Sequence, residues 1–238
     1  ANFRWYDHKA ILVCFDYREP NFATFAMASR SYRNCGHVHC SSIFGVPHEN
    51  SDWWVHRRLT WCHPANNRSD NLRIGVCMDI VLIRHLKPIG LAGICYGKTD
   101  VPASDDIAQL KIPFELPTMG AIWTSPLRRC FDLATRLQSK YGYELNVDAQ
   151  ISELDFGNWE MQAWDAIGPS MLDDWIASGF AALHNGESLT EFDARIRNWC
   201  ESLDRSTNHL VITHAGVIRS IYRQFLGLTL DKSLALPA

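Results

Sequence analysis

Met78-Asp79-Ile80-Val81-Leu82-Ile83-Arg84-His85 is the stretch on which the reading of this chain turns. Four consecutive aliphatic residues, Ile80 to Ile83, are too uniform for a half-exposed strand and too few for a helix. They predict a parallel strand buried on both faces. Its carboxyl end delivers Arg84 and His85. Open α/β sheets bind ligands outside the carboxyl ends of their strands, so this pair stands where chemistry is expected.

Working outward, Leu86 to Ser104 is punctuated by Pro88, Gly90, Gly93, Gly97 and Pro102, which predicts a substrate-facing loop, followed by a short helix from Ser104 to Leu110. Ala121-Ile122-Trp123 reads as a second buried strand. Ser125 then supplies a capping hydroxyl and Pro126 a first helical residue, and Leu127, Cys130, Phe131, Ala134 and Leu137 carry that helix to about Tyr141. Arg128 and Arg129 fall in its first turn, where the helix dipole favours anions; cations there point to something negative nearby.

Residues 147–155 are expected to hold a strand leading to Glu153 and Asp155, and residues 164–177 a helix. Ser188 and Glu191 form a capping box ahead of the apolar face Leu189, Phe192, Ile196, Trp199 and Leu203. Leu210-Val211-Ile212 repeats the opening theme and ends in Thr213 and His214, after which Ala215-Gly216 opens a helix with Val217, Ile218, Ile221, Tyr222 and Phe225 on one face. Strands alternating with helices predict a three-layer αβα sandwich around a mostly parallel sheet.

The totals set bounds on this reading. Residues 78–238 carry 14 Lys+Arg against 20 Asp+Glu, and that acidic balance argues against nucleic acid as a partner. No stretch approaches the ~20 apolar residues of a membrane helix, and Cys95, Cys130 and Cys200 are scattered as in a reduced compartment; a cytoplasmic location is expected. Residues 1–77 hold six of the ten histidines but one lysine, and show no sustained helical or strand period between Ser29 and Asn71. They are expected to be an atypical extension rather than a folded domain, with the folded body at 78–238. A metal module of Cys35, His37, His39, Cys40, Cys62 and His63 lacks the repeated paired-cysteine spacing of zinc sites, so no metal is expected.

If the strand ends and helix starts converge, Arg84, His85, Arg129, Glu153 and His214 share one pocket. Arginines offer forked donors matched to phosphate oxygens, and a helix amino terminus adds backbone N–H groups. A neutral histidine in such a cradle can attack phosphorus, with the cations stabilising the charge on the equatorial oxygens. Glu153 is the acid placed to protonate the leaving alkoxide. The protein then supplies the positive charge, so no cofactor is called for. Lys87, Tyr96 and Gly97 of the loop, together with Ala215, are candidate substrate contacts; Lys87, Lys98 and Tyr96 read equally as solvated loop residues.

With these residues assembled, 78–238 resembles the histidine phosphatase superfamily, the phosphoglycerate mutase-like group. The matching pieces are Arg84-His85, Ser125-Pro126-Leu127-Arg128-Arg129, Glu153-Leu154-Asp155-Phe156-Gly157-Asn158-Trp159-Glu160, Gly186-Glu187-Ser188 and Thr213-His214-Ala215-Gly216-Val217. The resemblance implies His85 as the phosphorylated nucleophile, Arg84, Arg129 and His214 as phosphate ligands and Glu153 as proton donor, acting on a small phosphate monoester. Lys87-Pro88 with Cys95-Tyr96-Gly97-Lys98-Thr99-Asp100, and Trp159-Glu160 with Trp164-Asp165, are similar to the α-ribazole-5′-phosphate phosphatases of cobalamin synthesis. A broad sugar-phosphate phosphatase, a phosphoglycerate mutase and a non-catalytic phosphate-ligand binder remain open. Three features depart from the family's pattern. Leu86 stands where a small residue or threonine is usual, Met161 where glycine commonly follows Trp-Glu, and the chain stops at Ala238, where relatives usually continue into a last strand. An absent last strand would leave a sheet edge bare.

Overall fold

The computed structural model describes residues 37–46, 54–63, 76–103 and 120–235, with side chains described from Met78 onward. Six strands form one sheet in the order β1-β2-β3-β6-β4-β5, where β1 is His37–Val46, β2 Trp54–His63, β3 Val76–Arg84, β4 Ala121–Thr124, β5 Glu144–Val147 and β6 His209–Thr213. The four strands β3, β6, β4 and β5 run parallel, and β1 and β2 are antiparallel to their neighbours. The helices are α1 Arg128–Tyr141, α2 Trp164–Ile167, α3 Pro169–Ala177, α4 Leu189–Ser202, α5 Ala215–Leu226 and α6 Leu230–Leu234.

The aliphatic run of β3 is buried on both sides. Val81 and Ile83, with Ile122, Leu210 and Ile212, meet Cys130, Leu133, Ala134 and Leu137 of α1. Ile80 and Leu82, with Val211, meet Phe192, Ile196 and Trp199 of α4 and Val217, Ile218 and Ile221 of α5. Each such side chain contributes about 1.5–3 kcal/mol of burial, which is why no polar residue interrupts the run. One helix on one face and two on the other make the three-layer sandwich expected from the sequence.

Several expected boundaries move. No strand leads into Glu153: β5 ends at Val147, and Asp148 turns the chain into a 3-10 turn, Ala149–Ile151, by accepting from the Gln150 N–H at 2.8 Å. The helix expected over 164–177 is two helices, because Pro169 has no N–H to continue the first and Gly168 takes a φ of 82° between them. Ser125 Oγ accepts from the Leu127 N–H at 3.3 Å, but Ser125 is not the residue at the cap position of α1. Its backbone N–H still donates to Ile212 at 3.2 Å as a continuation of β4, and Leu127 takes the cap position without a side-chain bond. The capping box of Ser188 and Glu191 is present at the start of α4.

The stretch in which no strand period was legible contains β1 and β2. β2 pairs along β3 from His56 opposite Ile83 to His63 opposite Val76, so β3 has a neighbour on each side. Such ladders are made by backbone groups and need no side-chain alternation. The expected boundary at residues 77/78 therefore falls inside β3. The helix expected at Ser104–Leu110 lies outside the described residues. Among the described residues no helix is long and apolar enough to cross a membrane.

Candidate active site

Three parallel strands end at one edge and each hands over a polar side chain. Arg84 of β3 is level with Thr213 of β6, and Thr124 of β4 with Ile212 of β6, so His85, His214 and Ser125 emerge side by side. The His85 N–H donates to the Thr213 carbonyl at 2.9 Å, which ties the first two strand ends together. The rings of His85 and His214 lie 5.0 Å apart.

His85 is buried, and its Nδ1 is 2.6 Å from the carbonyl oxygen of Leu86. A carbonyl only accepts, so Nδ1 carries the proton and Nε2 presents its lone pair. Burial first, then Arg84 and Arg129, hold this imidazole well below its ordinary pKa. His85 is therefore neutral near pH 7 with its nucleophilic nitrogen fixed. Leu86, the departure beside it, is itself buried.

His214 is fixed in the opposite tautomer. Arg129 Nε–H donates to its Nδ1 at 3.3 Å, so the ring proton sits on Nε2 and is donated to Ser125 Oγ at 2.9 Å. Burial, then Arg129, His85, Arg84 and Arg195, hold it well below its ordinary pKa. His214 therefore donates while neutral. The Cys130 sulfur lies 3.4 Å from the same nitrogen, and burial pushes its thiol pKa up, keeping it a thiol.

Arg129 is fully buried in the first turn of α1. Besides His214, it donates from Nη1 to the Thr99 carbonyl at 2.8 Å and from Nη2 to the Gly97 carbonyl at 2.5 Å, with Tyr96's ring centroid 5.6 Å from its guanidinium carbon. Three of its five N–H groups are thus engaged by protein. Gly97 and Tyr96, expected as substrate contacts, lie against Arg129. Arg84 is half-buried beside His85, Lys87 is exposed on the loop, and Ala215 is buried as the first residue of α5.

Glu153 lies across the start of α5: its Oε2 accepts from the Gly216 N–H and its Oε1 from the Leu154 N–H, each at 3.1 Å. Its main chain is gripped from behind by Arg195, a residue sequence reasoning missed. Arg195 donates to the carbonyls of Gln150 at 2.5 Å and Glu153 at 3.1 Å while forming a forked pair with Glu187 at 2.6 and 2.9 Å. The signal in the sequence was a carboxylate in Gly186-Glu187-Ser188 with an arginine eight residues on. Among the described residues no group of three or more His, Cys, Asp or Glu side chains could hold a metal ion; the cysteine and histidine set weighed earlier lies on side chains outside the description.

The sheet edge thus gathers a neutral, tautomer-fixed histidine, two arginines, a second histidine donor and a carboxylate on a helix start. That set can hold a tetrahedral dianion and attack it. The chain belongs to the histidine phosphatase superfamily (branch 1), whose family model matches residues 80–237. It is 28% identical over 116 residues to a Hydrogenobacter thermophilus protein provisionally named phosphoserine phosphatase 2, covering 46% of this chain and 57% of that one. It is 25% identical over 146 residues to the glucosyl-3-phosphoglycerate phosphatase of Mycobacterium tuberculosis, covering 56% of this chain and 63% of that one. The match therefore spans 57–63% of the length of these curated relatives. The structure of the α-ribazole phosphatase from Shigella flexneri shares the fold, with a TM-score of 0.55 at 20% identity over 65% of this chain and 82% of that one.

Proposed function

We propose that this protein is a metal-independent phosphomonoesterase that works through a phosphohistidine on His85. The observation that carries the reading is the 2.6 Å bond from His85 Nδ1 to the Leu86 carbonyl, which leaves Nε2 unprotonated inside a cationic cradle. Nε2 attacks the phosphorus and the P–O ester bond breaks. The alkoxide takes a proton from Glu153, and Arg84 and Arg129 stabilise the equatorial oxygens, joined by the Nε2–H of His214 once the phosphoryl group replaces Ser125 Oγ as its acceptor. Glu153, now a carboxylate, removes a proton from water as the water attacks phosphorus and the P–N bond breaks. Inorganic phosphate leaves.

For the alcohol half we infer α-ribazole, as in cobalamin synthesis, on the loop Lys87-Pro88 and Cys95 to Asp100 and on Trp159-Glu160 with Trp164-Asp165. The names of the relatives keep phosphoserine and a glucosylated phosphoglycerate as alternatives. A reduced, cytoplasmic setting is the one its unpaired Cys95, Cys130 and Cys200 favour.

The test is phosphate release, in the presence of a chelator, from α-ribazole 5′-phosphate, phosphoserine and glucosyl-3-phosphoglycerate. A kcat/KM at least tenfold above the others for the ribazole ester supports the assignment. Equal rates would leave the chemistry standing and remove the substrate. Loss of all activity in the chelator would remove metal independence.

A further inference from the structure

Glu160 has no place in the chemistry above, yet its carboxylate is the most heavily bonded acid on the site side of the molecule. Oε1 accepts from the backbone N–H of Lys98 at 2.8 Å and of Phe156 at 2.9 Å; Oε2 accepts from the Thr99 N–H at 3.1 Å and the Thr99 hydroxyl at 2.5 Å. A carboxylate offers about four lone-pair sites, so all are occupied by donors.

The short loop Gly97-Lys98-Thr99 is thereby held from both sides. Two of its N–H groups and a hydroxyl go to Glu160, and two of its carbonyls, Gly97 and Thr99, receive the terminal nitrogens of Arg129. No slack exists at its start. A β-carbon on Gly97 would fall 2.0 Å from the Leu154 carbonyl oxygen and 2.8 Å from Glu160 Oε1. The plane of the Arg129 guanidinium, and through its Nε the ring of His214, follows from where Glu160 holds those two carbonyls.

We propose that Glu160 is a positioning residue for the phosphate site, acting through the Gly97–Thr99 loop on Arg129. This rests on the phosphatase reading for its kinetic consequences but not for its structural one. Glu160→Gln replaces one accepting oxygen by a donor that faces donors, so the loop must shift. Thr99→Val removes the hydroxyl bond alone.

The experiment is a double-mutant cycle on the full chain between Glu160→Gln and Arg129→Lys. It is read as kcat and KM on p-nitrophenyl phosphate, affinity for orthovanadate, and hydrogen exchange at the Arg129 Nε–H by NMR. Glu160→Gln is expected to lower kcat about 10- to 100-fold, with a smaller change in KM and vanadate affinity falling alongside. In the Arg129→Lys background the same change should cost less than about threefold, because the path through Arg129 is already cut. Thr99→Val should fall between. Equal losses in both backgrounds, or an unchanged kcat, would overturn the proposal. Should the unaltered protein prove inactive, the exchange measurement still decides. Slow exchange of the Arg129 Nε–H that becomes fast in Glu160→Gln is expected, and unchanged protection would overturn the proposal.

Discussion

The carboxylate of Glu153 occupies the space that a side chain at position 216 would fill. A β-carbon on Gly216 would lie 2.2 Å from Oε1, and the Gly216 N–H donates to Oε2 at 3.1 Å. The obstructing atom is the tip of a flexible side chain, so a larger residue can displace it without breaking the helix. Gly216→Ala should therefore keep the fold, since alanine suits a helix better than glycine by about 1 kcal/mol. It should nevertheless lower kcat about 100-fold by moving the proton donor. Thermal unfolding together with phosphate release separates the two effects; activity retained within twofold would show that Glu153 is not needed where it lies.

The buried histidines set how stability responds to acid. His85 and His214 are both held well below the ordinary imidazole value, and His184 is lowered as well, in each case first by burial. In the unfolded chain each takes a proton near pH 6.5, while the folded protein does not. As pH falls below about 6.5 the unfolded state binds more protons and stability is lost, by at most about 1.4 kcal/mol per pH unit for each histidine. Above that pH the contribution is fully present. Urea unfolding at pH 7.5 and 5.5 should show a smaller loss in His85→Gln than in the unaltered protein, and equal losses would contradict the assignment.

Met161 carries a backbone cost. Its φ is 65°, the left-handed region that favours glycine, and its N–H donates to the Cys95 carbonyl at 2.7 Å to close the turn after Glu160. The glycine common at this position in the family is thus explained, and the methionine here is strained. Met161→Gly is expected to stabilise the protein by roughly 0.5–1 kcal/mol, since the side chain is about half exposed and little packing is lost. Denaturant titration reads this directly, and a destabilised variant would mean that the exposed thioether has a contact that matters more than the backbone.

The hairpin of β1 and β2 bears on the strand that ends in Arg84 and His85. β2 pairs along β3, and β3 begins at Val76. A chain starting at Met78 would lose that pairing and expose a run of unpaired N–H and C=O groups. It should unfold at lower temperature and self-associate on gel filtration compared with the full chain. Equal melting and a monomeric elution would show that the sheet does not need its amino-terminal strands.

How much of this was legible in the sequence follows from the range of each interaction. Ile80 to Ile83 and Leu210 to Ile212 announced buried parallel strands because apolar residues filled both faces, and Ser188 with Glu191 announced a helix start three residues apart. Arg84, His85, Arg129 and His214 could be placed at strand ends and helix starts for the same local reason, whereas the strand expected to lead into Glu153 is a 3-10 turn. Ser125 Oγ does accept from the Leu127 N–H two residues on, but the cap position is Leu127, and the partner that ties Ser125 into the site, His214, lies 89 residues on. The bonds of Glu160 to Thr99, 61 residues away, and of Arg195 to Gln150 and Glu153 across 45 and 42, have no local period at all. β1 and β2 escaped notice because backbone pairing leaves no obligatory alternation in the side chains.

The most direct test of the phosphohistidine is to trap it. The full chain is mixed with a radiolabelled phosphate monoester, quenched in alkali, where phosphohistidine survives, and digested for peptide mapping, with His85→Ala run alongside. Label on the peptide carrying His85, absent from the variant and lost on incubation with water before quenching, is the expected result. Phosphate released at full rate by His85→Ala, or label on any other residue, would contradict it.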